Sequence, residues 1–423
     1  MFSDGNSEFI ASSCESIKLP QTGCRPCYSG FTVELASAIR AIVFQFLKNP
    51  LNITSTSETR IPALQYENQE RIFSRAFKIL ADAVEQKAFP GAATAVTHGG
   101  KLVALKAFGR FTYETTSSPI DVESIFDLAS LTKVVATTSM AMILYEQGLL
   151  DLEMPVVGIL PEFQSEDSRR KEITFRQFLA HSSGLPAYER LFLRSKSEDE
   201  LLHEASSVPL KHNPGARAEY SDVGFILLGV ALQRIAGEQL DRFCQREIFG
   251  PLGMSHSSYN PPASSKSKIP PTADDQTFRK RVIQGEVYDE NASVMGGVAP
   301  HAGLFATASD VARFAQAMLD GGAPILRKET LSVFTRREHA PTGTSRALGW
   351  DTPSSPSQSG KYFSRSSFGH LGYTGTSLWI DPERQISVTL LTNRTWPDCS
   401  NWAIKEVRPA FHDAVMEALG VAV

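Results

Sequence analysis

Ser130 and Lys133 place a hydroxyl and an amine three residues apart at the head of an apolar run that continues through Met140, Met142 and Leu144. On a helix, residues i and i+3 share a face, so the amine comes within hydrogen-bond reach of the hydroxyl. That pairing is a nucleophile beside its base. The next charge is Glu146, and Gly148 supplies a C-terminal stop signal, so the pattern predicts a helix buried nearly all round. Burial disfavours an ammonium and lets a lysine take up a proton near neutral pH. The packing alternative is Ser130 as a helix cap and Lys133 as a snorkelling cation. The same spacing recurs at Ser168-Arg169-Arg170-Lys171 and Ser265-Lys266-Ser267-Lys268, a charged run and a segment between two proline pairs, both of which read as solvated loops.

Two further segments carry reactive side chains. Tyr220 stands in the polar loop Pro214 to Ser221, just before an apolar helix that runs to about Gly237. Its packing alternative is specific: Ser221 caps the helix and Tyr220 staples against Phe225. Phe368-Gly369-His370-Leu371-Gly372-Tyr373-Thr374-Gly375 leads into a strand through glycines, which allow close backbone approach to a ligand; a hairpin with a tight turn is the alternative.

Taken in this order, the three segments resemble the serine β-lactamase and penicillin-binding-protein superfamily in its class C-like branch, which includes D-alanyl-D-alanine carboxypeptidases, class C β-lactamases and esterases of the same fold. The motifs Ser-x-x-Lys, Tyr-x-Asn and Lys-Thr-Gly or His-Thr-Gly are matched by Ser130 to Lys133, Tyr220 to Asp222 and His370 to Gly372. Phe89 to Ala93, Leu179 to Pro186 and His301 to Ala308 are similar to further family segments, and the resemblance spans roughly residues 66 to 420. It implies that Ser130 attacks a carbonyl, that Lys133 and Tyr220 handle its proton, and that the backbone N–H groups of Ser130 and Tyr373 hold the oxyanion. Asp222, His370, Gly372 and Tyr373 would contact substrate, with His370 orienting its polar end. The sequence departs from the pattern at Asp222, where Asn is usual, at Leu371, which replaces Thr, and at His370, which replaces the Lys of β-lactamases. These changes weaken the case for efficient β-lactam hydrolysis and leave acyl-serine chemistry intact. A short-chain ester, a D-alanyl peptide and a β-lactam remain substrate candidates, with a penicillin-sensing module that does not turn over as the other reading.

Composition excludes several classes. A chain of 423 residues with 42% apolar content buries a large core, and a net charge of -4 offers no basic face for nucleic acid. Arg169-Arg170-Lys171 and Arg279-Lys280-Arg281 read as solvated faces. Without His-Glu-x-x-His or Gly-x-Ser-x-Gly, neither a metal centre nor an α/β-hydrolase elbow is expected, and no cofactor is implied. Cys14, Cys24, Cys27, Cys244 and Cys399 are odd and sparse, unlike a disulfide framework; Cys24-Arg25-Pro26-Cys27 has redox or zinc spacing with no second pair. Phe31 to Leu47 is too short and too charged to span a membrane and sits wrongly for an ordinary signal peptide.

The elements that must position these groups follow from periodicity. Tyr66 to about Lys87 has helical spacing, Ala92 to Phe111 reads as a hairpin turning at His98-Gly99-Gly100, and Thr307 to Asp310 has the form of a capping box. Strands are expected at Phe363 to Phe368, Gly375 to Ile380 and Ile386 to Thr392, and a last helix over about Trp402 to Leu419. The order suggests an α+β protein: an antiparallel sheet flanked by N- and C-terminal helices, built from residues 61–124 and 290–423, with a mainly helical region at 125–289 and an N-terminal extension, residues 1–60, that is poorly ordered or a short packed helix.

Overall fold

Gly99 and Gly100 both adopt left-handed backbone, at φ 58° and 77°, and fold two strands back on each other: β2 (Gly91–His98) and β3 (Lys101–Gly109). The computed structural model describes residues 63, 64 and 66–422, so Cys14, Cys24, Cys27 and the 31–47 stretch lie outside the described residues. With β1 (Ala63–Leu64), β4 (Phe368–Leu371), β5 (Ser377–Asp381) and β6 (Ile386–Thr392), the hairpin forms a six-stranded sheet in the order β1-β3-β2-β6-β5-β4. Every pairing is antiparallel except β1 with β3.

Alternation along these strands sorts the apolar side chains into two layers. Val96, Trp379, Val388 and Leu390 face Phe77 and Leu80 of α1 (Ser74–Glu85) and Phe411 and Val415 of the C-terminal helix Ile404–Ala418. Ala93, Ala95, Leu378, Ile380 and Leu391 face the larger core, which includes Val311, Phe314 and Ala315 of the helix Ala308–Leu319. Each such large side chain contributes about 1.5–3 kcal/mol on burial. The fold is therefore α+β, a sheet between helical layers.

The same larger core holds α2 (Ser139–Glu146) and α3 (Asp222–Ala236). Ser221 caps α3 by accepting the Gly224 N–H at 3.0 Å, and Gly237 ends it at φ 65°. Among the described residues no single helix is long and apolar enough to cross a membrane.

Several expectations need correction. The first helix breaks at Phe73, between Gln69–Ile72 and Ser74–Glu85. Phe363 to Ser367 is a loop rather than a strand: Ser364 bonds Asp381 through both its N–H and its hydroxyl, and that hydroxyl also bonds those of Ser366 and Ser367, so ladder pairing begins only at Phe368. Thr307 caps its helix by accepting the Asp310 N–H, but Asp310 turns away to the His256 N–H and the Ser257 hydroxyl, so the box is half made. The two basic runs are not wholly solvated. Arg170 is buried and donates to the carbonyls of Phe163, Ser206 and Val208. Arg279 pairs with buried Asp275 and donates to the carbonyls of Val287 and Tyr288.

Candidate active site

The segment bearing Ser130 is wound unevenly. Ala129 sits at φ 47°, a left-handed conformation uncommon for a residue with a side chain. A 3₁₀ turn, Ala129–Leu131, follows from it, then a π-helical stretch, Lys133–Thr138, before α2 begins at Ser139. The expected buried helix is present, but its first two turns are irregular. Asp127 anchors them by accepting the N–H groups of Ala129 and Tyr288 at 2.8 and 2.7 Å. Thr132 accepts the Leu304 N–H, and Thr137 donates to the Pro300 carbonyl, which lays residues 300–304 along the same helix.

Lys133 is fully buried, and its Nζ donates to Ser130 Oγ at 3.1 Å and to the His301 carbonyl at 2.9 Å. It also lies 2.7 Å from Asp222 Oδ1 and 5.0 Å from the centre of the Tyr220 ring. The lysine does not snorkel. Burial pushes its pKa below the ordinary ammonium value, and the Asp222 carboxylate opposes that shift.

Tyr220 Oη lies 2.7 Å from Ser130 Oγ and donates to Asp222 Oδ1 at 3.0 Å. Burial and then Asp222 raise its pKa well above that of a free phenol, so the ring is neutral at physiological pH. The staple expected between Tyr220 and Phe225 is instead a stack with His181 between them, ring centres 4.8 and 4.9 Å away. His181 Nδ1 accepts the Ser221 N–H, so its proton is on Nε2.

His370 is buried at the edge of the cleft, and Nδ1–H donates to the Leu371 carbonyl at 2.8 Å, which leaves Nε2 as a buried acceptor without a hydrogen-bond partner. Burial keeps this imidazole neutral, so no cation stands where β-lactamases place a lysine. Gly372 and Tyr373 follow at the strand end, held against the Ser130 segment by two hydroxyls: Thr374 donates to the Asp127 carbonyl and Thr376 to the Leu128 carbonyl, both at 2.9 Å.

All seven sequence-derived residues except Lys133, which is sealed beneath Ser130, line one cleft of about 1010 Å³. Asp222, where the family pattern has Asn, is not a free carboxylate: Lys133 Nζ stands 2.7 Å from it. Sequence reading missed Arg346, whose guanidinium lies 5.6 Å from the Tyr220 ring centre and 3.9 Å from Asp351. It also missed an aromatic wall in which Tyr288 stacks on Tyr373 and Trp402 meets Tyr373 edge-on, the latter two well exposed. No motif marks these residues; only folding brings them to the cleft.

A buried lysine and a neutral tyrosine thus meet at one serine hydroxyl, beneath a cleft between a sheet edge and helices. The beta-lactamase family model matches residues 76–402. The N-acetylmuramyl-L-alanine amidase of Bacillus subtilis (strain 168) is 32% identical over 345 residues, covering 72% of this chain and 77% of that protein. Among solved structures, EstCE1, described as a hydrolase with promiscuous acyltransferase activity, superposes with a TM-score of 0.68 at 21% identity, covering 81% of this chain and 98% of its own. A penicillin-binding-protein homologue from Caulobacter crescentus gives 0.67 at 19% identity, covering 82% and 98%. The chain belongs to the beta-lactamase family, within the serine β-lactamase and penicillin-binding-protein superfamily of hydrolases.

Proposed function

We propose that this protein hydrolyses an amide or ester through an acyl-enzyme on Ser130. The observation that carries the proposal is the Ser130 hydroxyl held between Lys133 Nζ at 3.1 Å and Tyr220 Oη at 2.7 Å in an open cleft. Ser130 Oγ attacks the substrate carbonyl while its proton enters the Lys133 and Tyr220 network, the leaving group departs with a proton, and water repeats the sequence to free the acid. Backbone N–H groups of Ser130 and Tyr373 receive the oxyanion, a contribution of roughly 3–4 kcal/mol. The short threonine bonds between their two segments support that pairing.

The amide class is favoured by the 32% identical relative named for cleaving an N-acetylmuramyl-L-alanine linkage, and ester turnover by the likeness to EstCE1. The cleft suits a peptide-bearing sugar: the exposed rings of Tyr373 and Trp402, set edge to face, offer aromatic surface, and Arg346 offers a cation for a carboxylate. D-alanyl peptides and short neutral esters fit the same site.

Incubation with N-acetylmuramyl-L-alanine, p-nitrophenyl butyrate and a fluorescent penicillin, followed by intact mass, tests this reading. An acyl adduct that maps to Ser130 is expected with at least one of them, together with turnover. Turnover that survives Ser130→Ala would end the assignment.

A further inference from the structure

We infer that Asp222 is the terminal acceptor of the Ser130 proton, reached through Tyr220, and that Lys133 remains an ammonium while the serine is acylated. The inference rests on the acyl-serine reading above and concerns where the proton goes.

The argument is one of direction. Four side chains form a closed ring: Ser130 Oγ to Tyr220 Oη at 2.7 Å, Tyr220 Oη to Asp222 Oδ1 at 3.0 Å, Asp222 Oδ1 to Lys133 Nζ at 2.7 Å, and Lys133 Nζ back to Ser130 Oγ at 3.1 Å. A carboxylate can only accept, so the single proton of Tyr220 points at Asp222. Tyr220 then has none to give to Ser130, and the 2.7 Å contact between the two hydroxyls must be bridged by the serine's own proton. With its proton committed to Tyr220, Ser130 receives a hydrogen bond from Lys133 rather than giving one. A neutral amine would turn its lone pair toward either Asp222 or Ser130; an ammonium satisfies Asp222, Ser130 and the His301 carbonyl together. The lysine therefore has no lone pair aimed at the serine proton, whereas a chain of two hydrogen bonds leads that proton to a carboxylate.

The step balances. As Ser130 Oγ bonds the carbonyl carbon and the carbonyl electron pair moves onto oxygen, the serine proton passes to Tyr220 Oη and the tyrosine proton to Asp222 Oδ1, leaving a neutral acid. When the intermediate collapses and the bond to the leaving group breaks, the departing atom takes a proton from Tyr220, which is refilled from Asp222. The ammonium of Lys133, beside Ser130 Oγ throughout, stabilises charge that develops there. An asparagine at position 222 could orient Tyr220 but could not hold the extra proton.

Other charged or titratable groups face the ring. Arg346 and His181 lie against Tyr220, His370 is 6.0 Å from its ring, and the Asp289 carboxylate attracts Lys133 through space. Burial keeps both His181 and His370 neutral.

The test is p-nitrophenyl acetate turnover in mixtures of H2O and D2O for the wild type, Asp222→Asn and Ser130→Ala. The wild type should show a curved dependence of rate on deuterium fraction, since two protons move together. Asp222→Asn should lower the melting temperature, because buried Lys133 loses its carboxylate, and in the folded protein it should lower kcat/KM by at least 100-fold and leave a linear deuterium dependence. Formate added to Asp222→Ala should restore turnover in a saturable way. The relay is overturned if Asp222→Asn stays within threefold of wild type, if it keeps the curved deuterium dependence, or if formate restores nothing to Asp222→Ala. Activity in Ser130→Ala would instead remove the acyl-serine reading itself, so the two failures are distinct.

Discussion

Gly372 and Leu128 approach so closely that a methyl group on the glycine would stand 2.6 Å from the leucine carbonyl oxygen and 1.9 Å from Thr376 Oγ1. The strand end that carries His370 thus packs backbone to backbone against the segment that delivers Ser130. Gly372→Ala must push the two apart. A destabilisation of about 1–3 kcal/mol is expected from overpacking, with ester turnover falling at least tenfold because Ser130 moves relative to Tyr373. Calorimetry and initial rates on the purified variant check this; an active alanine variant of unchanged melting temperature would show that the contact does not set the site.

The three serine-lysine tetrads should separate by mutation. Ser130→Ala is expected to remove both covalent labelling and turnover and to leave the melting temperature close to wild type. Ser168→Ala and Ser265→Ala, each in a short surface 3₁₀ turn away from the cleft, should change neither. Labelling by a fluorescent penicillin or an active ester, read on a gel, distinguishes them.

Tyr220→Phe keeps the ring stacked on His181 and deletes only the hydroxyl. The rate should fall by roughly 10²–10⁴-fold while stability changes little. Undiminished turnover would return Tyr220 to a packing role.

Arg346 and Leu371 bear on substrate class. Leu371 brings no hydroxyl to the cleft and His370 is neutral, so a β-lactam carboxylate lacks two of the partners the family resemblance implies, while Arg346 lies in the cleft beside Tyr220. Neutral acetyl and butyryl esters are expected to turn over faster than penicillins and cephalosporins. Arg346→Gln should lower kcat/KM for carboxylate-bearing substrates at least tenfold and for neutral esters less than threefold. Equal losses on both would contradict a charge-recognition role.

Arg279 supports the far wall through the carbonyls of Val287 and Tyr288, with Asp275 as its buried partner. Arg279→Ala removes the guanidinium but leaves the carboxylate its N–H donors from Thr277, Phe278 and residue 279, and should reduce stability by about 1–3 kcal/mol. Despite burial, the N–H groups of Arg279, Phe278 and Thr277 and the Arg279 side chain hold Asp275 below the usual carboxylate range. Its contribution is therefore present above the unfolded-state pKa near 4 and is lost as pH falls through the folded value, so wild type and variant should converge in melting temperature on acidification.

Features set by local chemistry were legible in the sequence. Gly99-Gly100 marks the hairpin, Ser221 and Gly237 bracket α3, and the spacing of Ser130 and Lys133 places the amine on the hydroxyl. Features set by contacts between distant segments were not. Nothing near Asp222 in the sequence announces Lys133 as its partner, because the pair forms only when α3 docks beside α2. The uneven winding after Ala129 likewise answers to Asp127, Tyr288 and the 300–304 segment rather than to helix propensity. Phe363 to Ser367 misled because its serines bond to Asp381 and to one another, a choice invisible to an alternation pattern.

The side chains around Ser130 come from separate stretches of chain: one holds the serine and lysine, a second the tyrosine and aspartate, and a third the His301 carbonyl beneath the lysine. In the unfolded chain Ser130 is therefore an ordinary alcohol. On the proposed acyl-serine reading, reactivity switches on only when the last of these stretches has docked, and nascent or half-assembled molecules are expected to be chemically silent toward reactive acyl compounds around them. A covalent serine probe accordingly counts finished molecules in a preparation, and during refolding its signal should trail the recovery of secondary structure.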